Sequence, residues 1–450
     1  MPKFFPRPLR SALLATAVSL VTSNASAAGL LELYREAVVS DAQYAAAKAD
    51  RGAAEALVVQ SRGQLLPQMA ANGSRVHHDQ SVKTYVPSLD KDYVKDYGFK
   101  GDNASLNLSQ ALFRPQLWAA YAQTLAQVRQ AEGALQQARQ DLVLRVAQAY
   151  FDILLAEDTV TLAGEQKAAI SEQLKQAKRY FEAGVGTVTD INEAQARYDT
   201  IVAQEIAAES NLEIKVRSME QIVGKHHRRF DRLDGRMPLE LPEPLSVERW
   251  LEFAMATNPT IKAREAALEA ADQDVYKSAA AHLPTVDIVA GRSYYKNPGY
   301  TTINTSSIDN TLGIQVSIPL FSGGATQGRY DQASAMRERA RLELESANRG
   351  ITLSTRQEYL NVVNGVAQIK ALEQAVKSNE LALYSARKGL EAGVRTSFDV
   401  LNAQQLLFSA KRDLALERYR YVLSRFRLRA AAGLLDDGDV ELVQRYLGEG

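Results

Sequence analysis

The residues best placed to do chemistry lie in two short turns. Residues 182–195 read EAGVGTVTDINEAQ and residues 391–404 read EAGVRTSFDVLNAQ; eight of the fourteen positions are identical, 209 residues apart. Each turn carries one aspartate, Asp190 or Asp399, and the second adds Arg395 and Asn402. A carboxylate just after a turn can accept the free backbone N–H groups of a helix start. Asp190 with Glu193 reads as a capping box, and Thr396, Ser397 or Asp399 can cap the partner helix. Gly184, Gly186 and Gly393 allow the positive φ of a sharp helix-to-helix turn.

Other reactive groups are sparse. His77-His78 and His226-His227 are adjacent pairs. Neighbours point to opposite faces of a strand and diverge by about 100° on a helix, and no cysteine or carboxylate cluster completes a metal site. The basic run Lys225-His-His-Arg-Arg229 reads as a solvated turn. Gly323-Gly324 lacks the spacing of a phosphate loop and reads as a strand-to-helix transition, as does Pro115. No nucleophile, base and oxyanion set is present. The sequence therefore predicts no catalytic site, no cofactor and no metal.

The turns must be held by long elements. After a basic n-region (Lys3, Arg7, Arg10), residues 11–22 are apolar and Ala25-Ser26-Ala27 offers a cleavage site, so residues 1–27 read as an export signal. Of 53 basic residues three fall in that signal, against 53 acidic ones, which leaves a mature charge near −3 and no basic excess for nucleic acid. Cysteine is absent, which excludes disulfides and an N-terminal lipid anchor. Beyond the signal no run of 18 apolar residues occurs.

Proline is missing from residues 116–237 and 320–450, and it costs about 3 kcal/mol inside a helix. Both blocks therefore predict helices. From position 121 to 181, steps of four and three give eighteen positions of which only Glu132, Arg139 and Lys167 are not apolar. That is a sustained heptad seam, and 68 residues from 115 to 182 would span about 100 Å. The second seam is patchier, with Thr355, Glu358 and Asn379 on it.

Between the helices the period changes to two. Leu312, Ile314, Val316, Ile318 and Leu320 alternate with smaller or polar residues, as do Val286, Ile288 and Ala290, and Leu106 with Leu108. Four strands are predicted, about 67–80, 101–113, 285–297 and 308–321, each long enough for the roughly 9–11 residues of a membrane strand. The first β-like section is 9 residues longer than the second, and the excess is assigned to a polar loop around 80–100. Tyr85, Tyr93, Tyr97, Phe99, Tyr294, Tyr295 and Tyr300 cluster at the loop ends; Phe113 and Phe321 sit at the others. Interfacial aromatics suit a membrane barrel, and a small soluble sheet with one wet face suits the alternation equally. If the strands span a bilayer, four cannot close a barrel, and several protomers must share one.

Leu66-Pro67 repeats as Leu283-Pro284, Phe113 as Phe321, Tyr150 as Tyr359 and Gly224 as Gly433. The expected organisation is a first repeat at 28–236, a Pro-rich connector at 237–246, a second repeat at 247–435 and a tail at 436–450. With the doubled Gly-Val turn and the start LLELYREAVVSDAQYAAAKAD, this layout resembles the TolC-type outer-membrane efflux and type I secretion channels, in their unlipidated branch. The resemblance covers about residues 30–435. It implies a mainly α protomer with four strands, and a homotrimer sharing a twelve-stranded barrel above a coiled-coil helical tunnel. It implies outer-membrane lipid around the barrel, a periplasmic adaptor, and an inner-membrane ABC or proton-driven transporter.

By the same resemblance the turns are the tips where the tunnel closes and the adaptor docks, through Gly184, Val185, Gly186, Thr187, Gly393, Val394 and Thr396. Asp399 matches the constriction aspartate, so three copies would form a cation-favouring ring whose mutual repulsion raises some pKa values. Asn402 stands where a second aspartate is usual. Arg395 matches a gating arginine that pairs with Asp190. The competing expectation is a soluble periplasmic coiled-coil adaptor or scaffold.

Overall fold

The computed structural model describes residues 27–233, 238–297 and 305–448. The signal-peptide reading, Ala27 apart, and Tyr300 lie outside the described residues. Two short helices, α1 (Leu30–Ser40) and α2 (Ala42–Gly63), lead into strands β1 (Gln68–Val86) and β2 (Lys91–Phe113). Then come α3 (Pro115–Glu182), α4 (Val188–Val223) and the two-residue β3 (Arg232–Leu233). The second half repeats the order with α5 (Val247–Thr257), α6 (Pro259–Ala280), β4 (Thr285–Asn297), β5 (Thr305–Ser317), α7 (Ala325–Glu391) and α8 (Ser397–Ala431). It ends with α9 (Asp437–Gln444) and β6 (Leu447–Gly448), which pairs with β3.

Two helices, not one continuous helix, precede each Leu-Pro. Asp41 and Asn258 break them, because each is extended and caps the next helix: Asp41 accepts from Tyr44 N at 2.7 Å and Asn258 from Thr260 N at 2.9 Å. Pro259 then starts α6 at a position that needs no N–H.

The long helices follow the seam. Leu142, Val146, Ile153, Ile170 and Leu174 are buried along α3. In the upper part α2 and α6 flank α3, and below it pairs with α4 and α8. The main core forms at mid-height, around Tyr150, Phe151, Val362, Ile369, Tyr421 and Phe426. There the repeat-equivalent Tyr150 and Tyr359 both donate their phenols to loop carbonyls, of Asp231 and Leu245. The basic run 225–229 is not a free solvated turn. Lys225 (2.6 Å) and His227 (2.7 Å) both hold Glu36 on α1. Burial works against the Glu36 charge, yet these partners keep its pKa below the usual glutamate value.

The strands form one antiparallel sheet in the order β1-β2-β4-β5, leaving β1 and β5 as open edges. The β1–β2 hairpin corrects the predicted boundaries. Residues 80–100 are no loop: pairing runs out to Val86↔Lys91, closed by Tyr85–Asp90 (2.7 Å) and Lys83–Asp92 (2.7 Å). The third neighbour, β4, stops pairing at Asp102↔Lys296, so the outer part of the hairpin stands clear of the sheet. At the other end the sheet stops at Ser317, before Pro319, which has no N–H to donate.

The register decides which side of the sheet is which. Met69, Leu108, Ala290 and Leu312 share one row, and Leu106, Ile288, Ile314 and Val316 lie on the same face. Leu312 is 82% exposed and Ile314 69%, which water would not tolerate as a continuous surface. The opposite face carries Asn72, Ser105, Asn107, Ser293 and Thr311. A bulge between Ala111 and Phe113 turns Phe113 to the apolar side, opposite Val286. His77 and His78 fall on opposite faces, the first 3.2 Å from Asp79 and the second stacked on Phe99 at 5.0 Å. No described helix is long and apolar enough to cross a membrane.

Candidate functional site

The two turns lie at the far ends of the long hairpins. Each begins with a positive-φ glycine, Gly184 (+73°) or Gly393 (+74°), and in each two following N–H groups return to one carbonyl. Val185 and Gly186 donate to Tyr180 O, both at 3.0 Å; Val394 and Arg395 donate to Gly389 O at 2.9 and 3.1 Å. This reverses the chain while satisfying a carbonyl of the last helical turn.

Gly186 does not use positive φ, contrary to expectation. Its reason is space: a Cβ there would sit 2.9–3.0 Å from Phe181 N and from Tyr180. In the second turn the bulk is exchanged. Arg395 occupies the place of Gly186, and Gly389 that of Tyr180; a Cβ on Gly389 would lie 2.5 Å from Arg395 Cγ. At this crossing only one of the two residues can carry a side chain. The same 209-residue offset that aligns the turns exposes the exchange, though the sequence reading overlooked it.

The first cap is also shifted, while the second falls on Thr396, one of its three candidates. Asp190 with Glu193 does not form the box. Thr187 is the N-cap and Asp190 its reciprocal partner: Asp190 N donates to Thr187 Oγ1 at 3.2 Å, and Thr187 N to Asp190 Oδ2 at 3.1 Å. Thr396 and Asp399 repeat this at 3.2 and 2.9 Å. Thr wins because it is extended and directly precedes the first helical residue. Asp399 is held below the usual aspartate pKa, first by the Thr396 backbone N–H, then by its hydroxyl, with Arg395 adding to both.

Arg395 Nη1 lies 3.9 Å from Asp399 Oδ1, one helical turn along the same chain. Within a protomer, among the described residues, it makes no ion pair with Asp190, which sits on the other hairpin. With side chains 62% and 35% exposed, the observed pair is weak. Asn402 is exposed one turn beyond Asp399. Val185 and Val394 point outward at 77% and 78% exposure, at equivalent positions of the two tips.

The hairpins are braced together just above the tips, by residues the sequence reading did not single out. Gln173 donates to Ser397 at 3.2 Å, Arg197 bonds Gln405 and lies 5.9 Å over Phe398, and Leu401 packs with Ile170 and Ile201. No periodic pattern could reveal polar contacts across more than 200 residues. Among the described residues no group of three or more His, Asp or Glu side chains could hold a metal.

The sequence profile of the outer membrane efflux protein family matches residues 33–225 and 250–434. The alkaline protease secretion protein AprF of Pseudomonas aeruginosa is 32% identical over 426 residues, covering 94% of this chain and 88% of that one. The outer membrane protein TolC of Vibrio cholerae is 31% identical over 429 residues, covering 94% and 95%. Among solved structures, the outer membrane protein VceC of Vibrio cholerae aligns with a TM-score of 0.76 at 20% identity, covering 90% and 96%.

Proposed function

This chain belongs to the outer membrane efflux protein family, and from that premise we propose that three copies form an exit duct gated at the helical tips. It is an outer-membrane channel protein whose helices extend into the periplasm, which overturns the soluble-adaptor expectation. We read the duct as a conduit with no catalytic step of its own. A periplasmic adaptor would dock on the tips, and an inner-membrane ABC or proton-driven transporter would supply both energy and cargo. The relative AprF is named for protease secretion, which supports protein export as one such cargo class. Residues 1–27 would be removed on export, leaving the repeats 28–236 and 247–435.

The observation that carries this reading is the sheet: an apolar outer face with two unpaired edges. Unpaired backbone groups cannot remain in a bilayer, so identical copies must join β5 to β1. Fractionation tests it. The expected product is a detergent-requiring, heat-modifiable trimer in outer membranes. Release of a monomer by osmotic shock would end the proposal.

At the gate, Asp399 would serve twice, as cap partner and as ring carboxylate. Asp399→Asn keeps an oxygen for the Thr396 N–H but removes the charge. Cation preference should fall, read as a smaller reversal potential in a salt gradient; an unaltered potential assigns Asp399 to capping alone. Arg395 would reach Asp190 only across protomers. Arg395→Ser should raise the bilayer conductance of the closed channel several-fold, since a latch worth about 1 kcal/mol changes an equilibrium roughly fivefold. Unchanged conductance would remove the latch.

A further inference from the structure

We infer that the outer rim of the sheet binds the phosphate-bearing headgroup of an anionic glycolipid in the outer leaflet. The inference rests on the membrane reading above. The register sets Arg75, Asp102 and Lys296 side by side on β1, β2 and β4. They share the face of Leu106, Ala290 and Leu312. Lys100 lies two residues further out on β2, and Arg292 four residues inward of Lys296 on β4. Four cations and one carboxylate leave an excess of three positive charges in this band.

Arg75 is already spent. Its Nε and Nη2 grip Asp102 at 2.5 and 3.1 Å, which neutralises the one acid present. Lys100, Arg292 and Lys296 are all exposed; Lys296 adds a weaker pull on Asp102 across the row but, like the other two, closes no ion pair among the described residues. Their height is telling. Inward of Lys296 lie Tyr294 and Ile308, then the row of Leu106, Arg292 and Asn310, and beyond it the apolar row of Met69, Leu108, Ala290 and Leu312. Outward, the same face turns acidic with Asp79 and Asp96. Lys100 and Lys296 thus stand where acyl chains give way to headgroups, and Arg292, four residues deeper, can lay its aliphatic stem along the strand while its charge reaches up towards them.

The opposite face supplies the contrast. At the same height it holds Ser74, Asn103, Tyr295 and Ser307, with no cation. Within these rows the cations are confined to the lipid side: the opposite face adds only Asp309 beside Ser293, and its lysines, Lys91 and Lys95, stand further out on the hairpin. The end of the sheet fixes the leaflet. All four strand ends that meet helices lie at the other end, so this rim faces the cell exterior. Phosphate suits the lysines as point charges and Arg292 as a fork donor.

The test uses full-length protein extracted from outer membranes, and Lys100→Gln/Arg292→Gln/Lys296→Gln in the same form. Bisphosphorylated lipid A is titrated against each in detergent, with dephosphorylated lipid A and phosphatidylglycerol as comparison probes. Binding is read by native mass spectrometry. The triple variant should bind the phosphorylated glycolipid roughly tenfold more weakly or worse, given the contribution of each cation near a charged surface, and should still form the heat-modifiable trimer. Equal binding of both lipid A forms, equal binding by variant and wild type, or equally tight phosphatidylglycerol would each overturn the inference. Should the triple variant not assemble, Lys100→Gln alone, beyond the paired core of the sheet, must show a reduced affinity or the inference fails. Wild-type protein that does not partition into the outer membrane would instead refute the channel reading itself.

Discussion

Replacing Gly433 with alanine is expected to cost about 2–4 kcal/mol, a large share of the roughly 5–15 kcal/mol that holds a protein folded. Gly433 ends α8 at φ +70°, and a Cβ there would lie 2.6 Å from the carbonyl of Thr257 and 2.7 Å from Asn258 Cα. Those are backbone atoms at the α5–α6 junction and cannot swing aside. The junction is itself tied to the end of α8: Thr257 Oγ1 donates to Ala432 O at 2.6 Å, and Asn258 Nδ2 to Ala431 O at 2.8 Å. Forcing the helices apart would break both bonds. The repeat provides its own control. Gly224 ends α4 at φ +73°, yet its Cβ would only touch Ser40 Cβ at 3.4 Å. Gly224→Ala should therefore show the conformational penalty alone, about 1 kcal/mol. Unfolding midpoints of the detergent-solubilised trimers check this; equal losses at the two sites would refute the contact argument.

Arg145→Met should be the second severe change. Asp41 has a side chain only 5% exposed and meets Arg145 through two bonds of 2.8 Å. Removing the guanidinium strands a buried carboxylate, at a cost of about 3–5 kcal/mol. The deficit should depend on pH. Arg145 is the main influence holding the Asp41 pKa below its ordinary value, with the Tyr44 N–H assisting against burial. A depressed folded pKa means that the pair stabilises above the unfolded value of about 3.9, and that this is lost as pH falls through the lower folded value. The variant, freed of the guanidinium, can protonate Asp41 more easily. The gap between wild type and variant should therefore be widest near neutrality and narrow towards pH 4. Asp41→Asn/Arg145→Met should recover part of the loss. A gap that stays constant with pH would show that the ion pair is not its source.

What was legible in the sequence follows its strongest periodicities. The seam through Leu142, Val146 and Ile153 and the absence of proline located α3 closely, because a helix that long repeats its signal many times. Strand ends next to the helices were legible where one face is apolar. The outer part of the β1–β2 hairpin was not: Lys83, Asp92 and Asp96 wet one face and Lys91 and Lys95 the other, so no hydrophobic alternation marks it and only cross-strand partners do. At the tips the aspartates were visible but their geometry was not, since capping depends on where the backbone turns helical, and that shifted the N-cap back to Thr187. The partner of Arg395 was illegible for another reason. Within one copy it finds Asp399, and a contact made between copies, as proposed for Asp190, would leave no trace in the spacing of a single chain.

The exchange of bulk at the crossings, Tyr180 over Gly186 and Gly389 under Arg395, has a historical consequence. Adding the second side chain first would meet a collision, whereas removing the first leaves glycine at both positions of an exposed turn, so the easier route between the two arrangements runs through a paired-glycine intermediate. Three protomers would then present an alternating crown, phenol-backed and guanidinium-bearing by turns. Whatever engages that crown meets threefold order wearing a sixfold disguise.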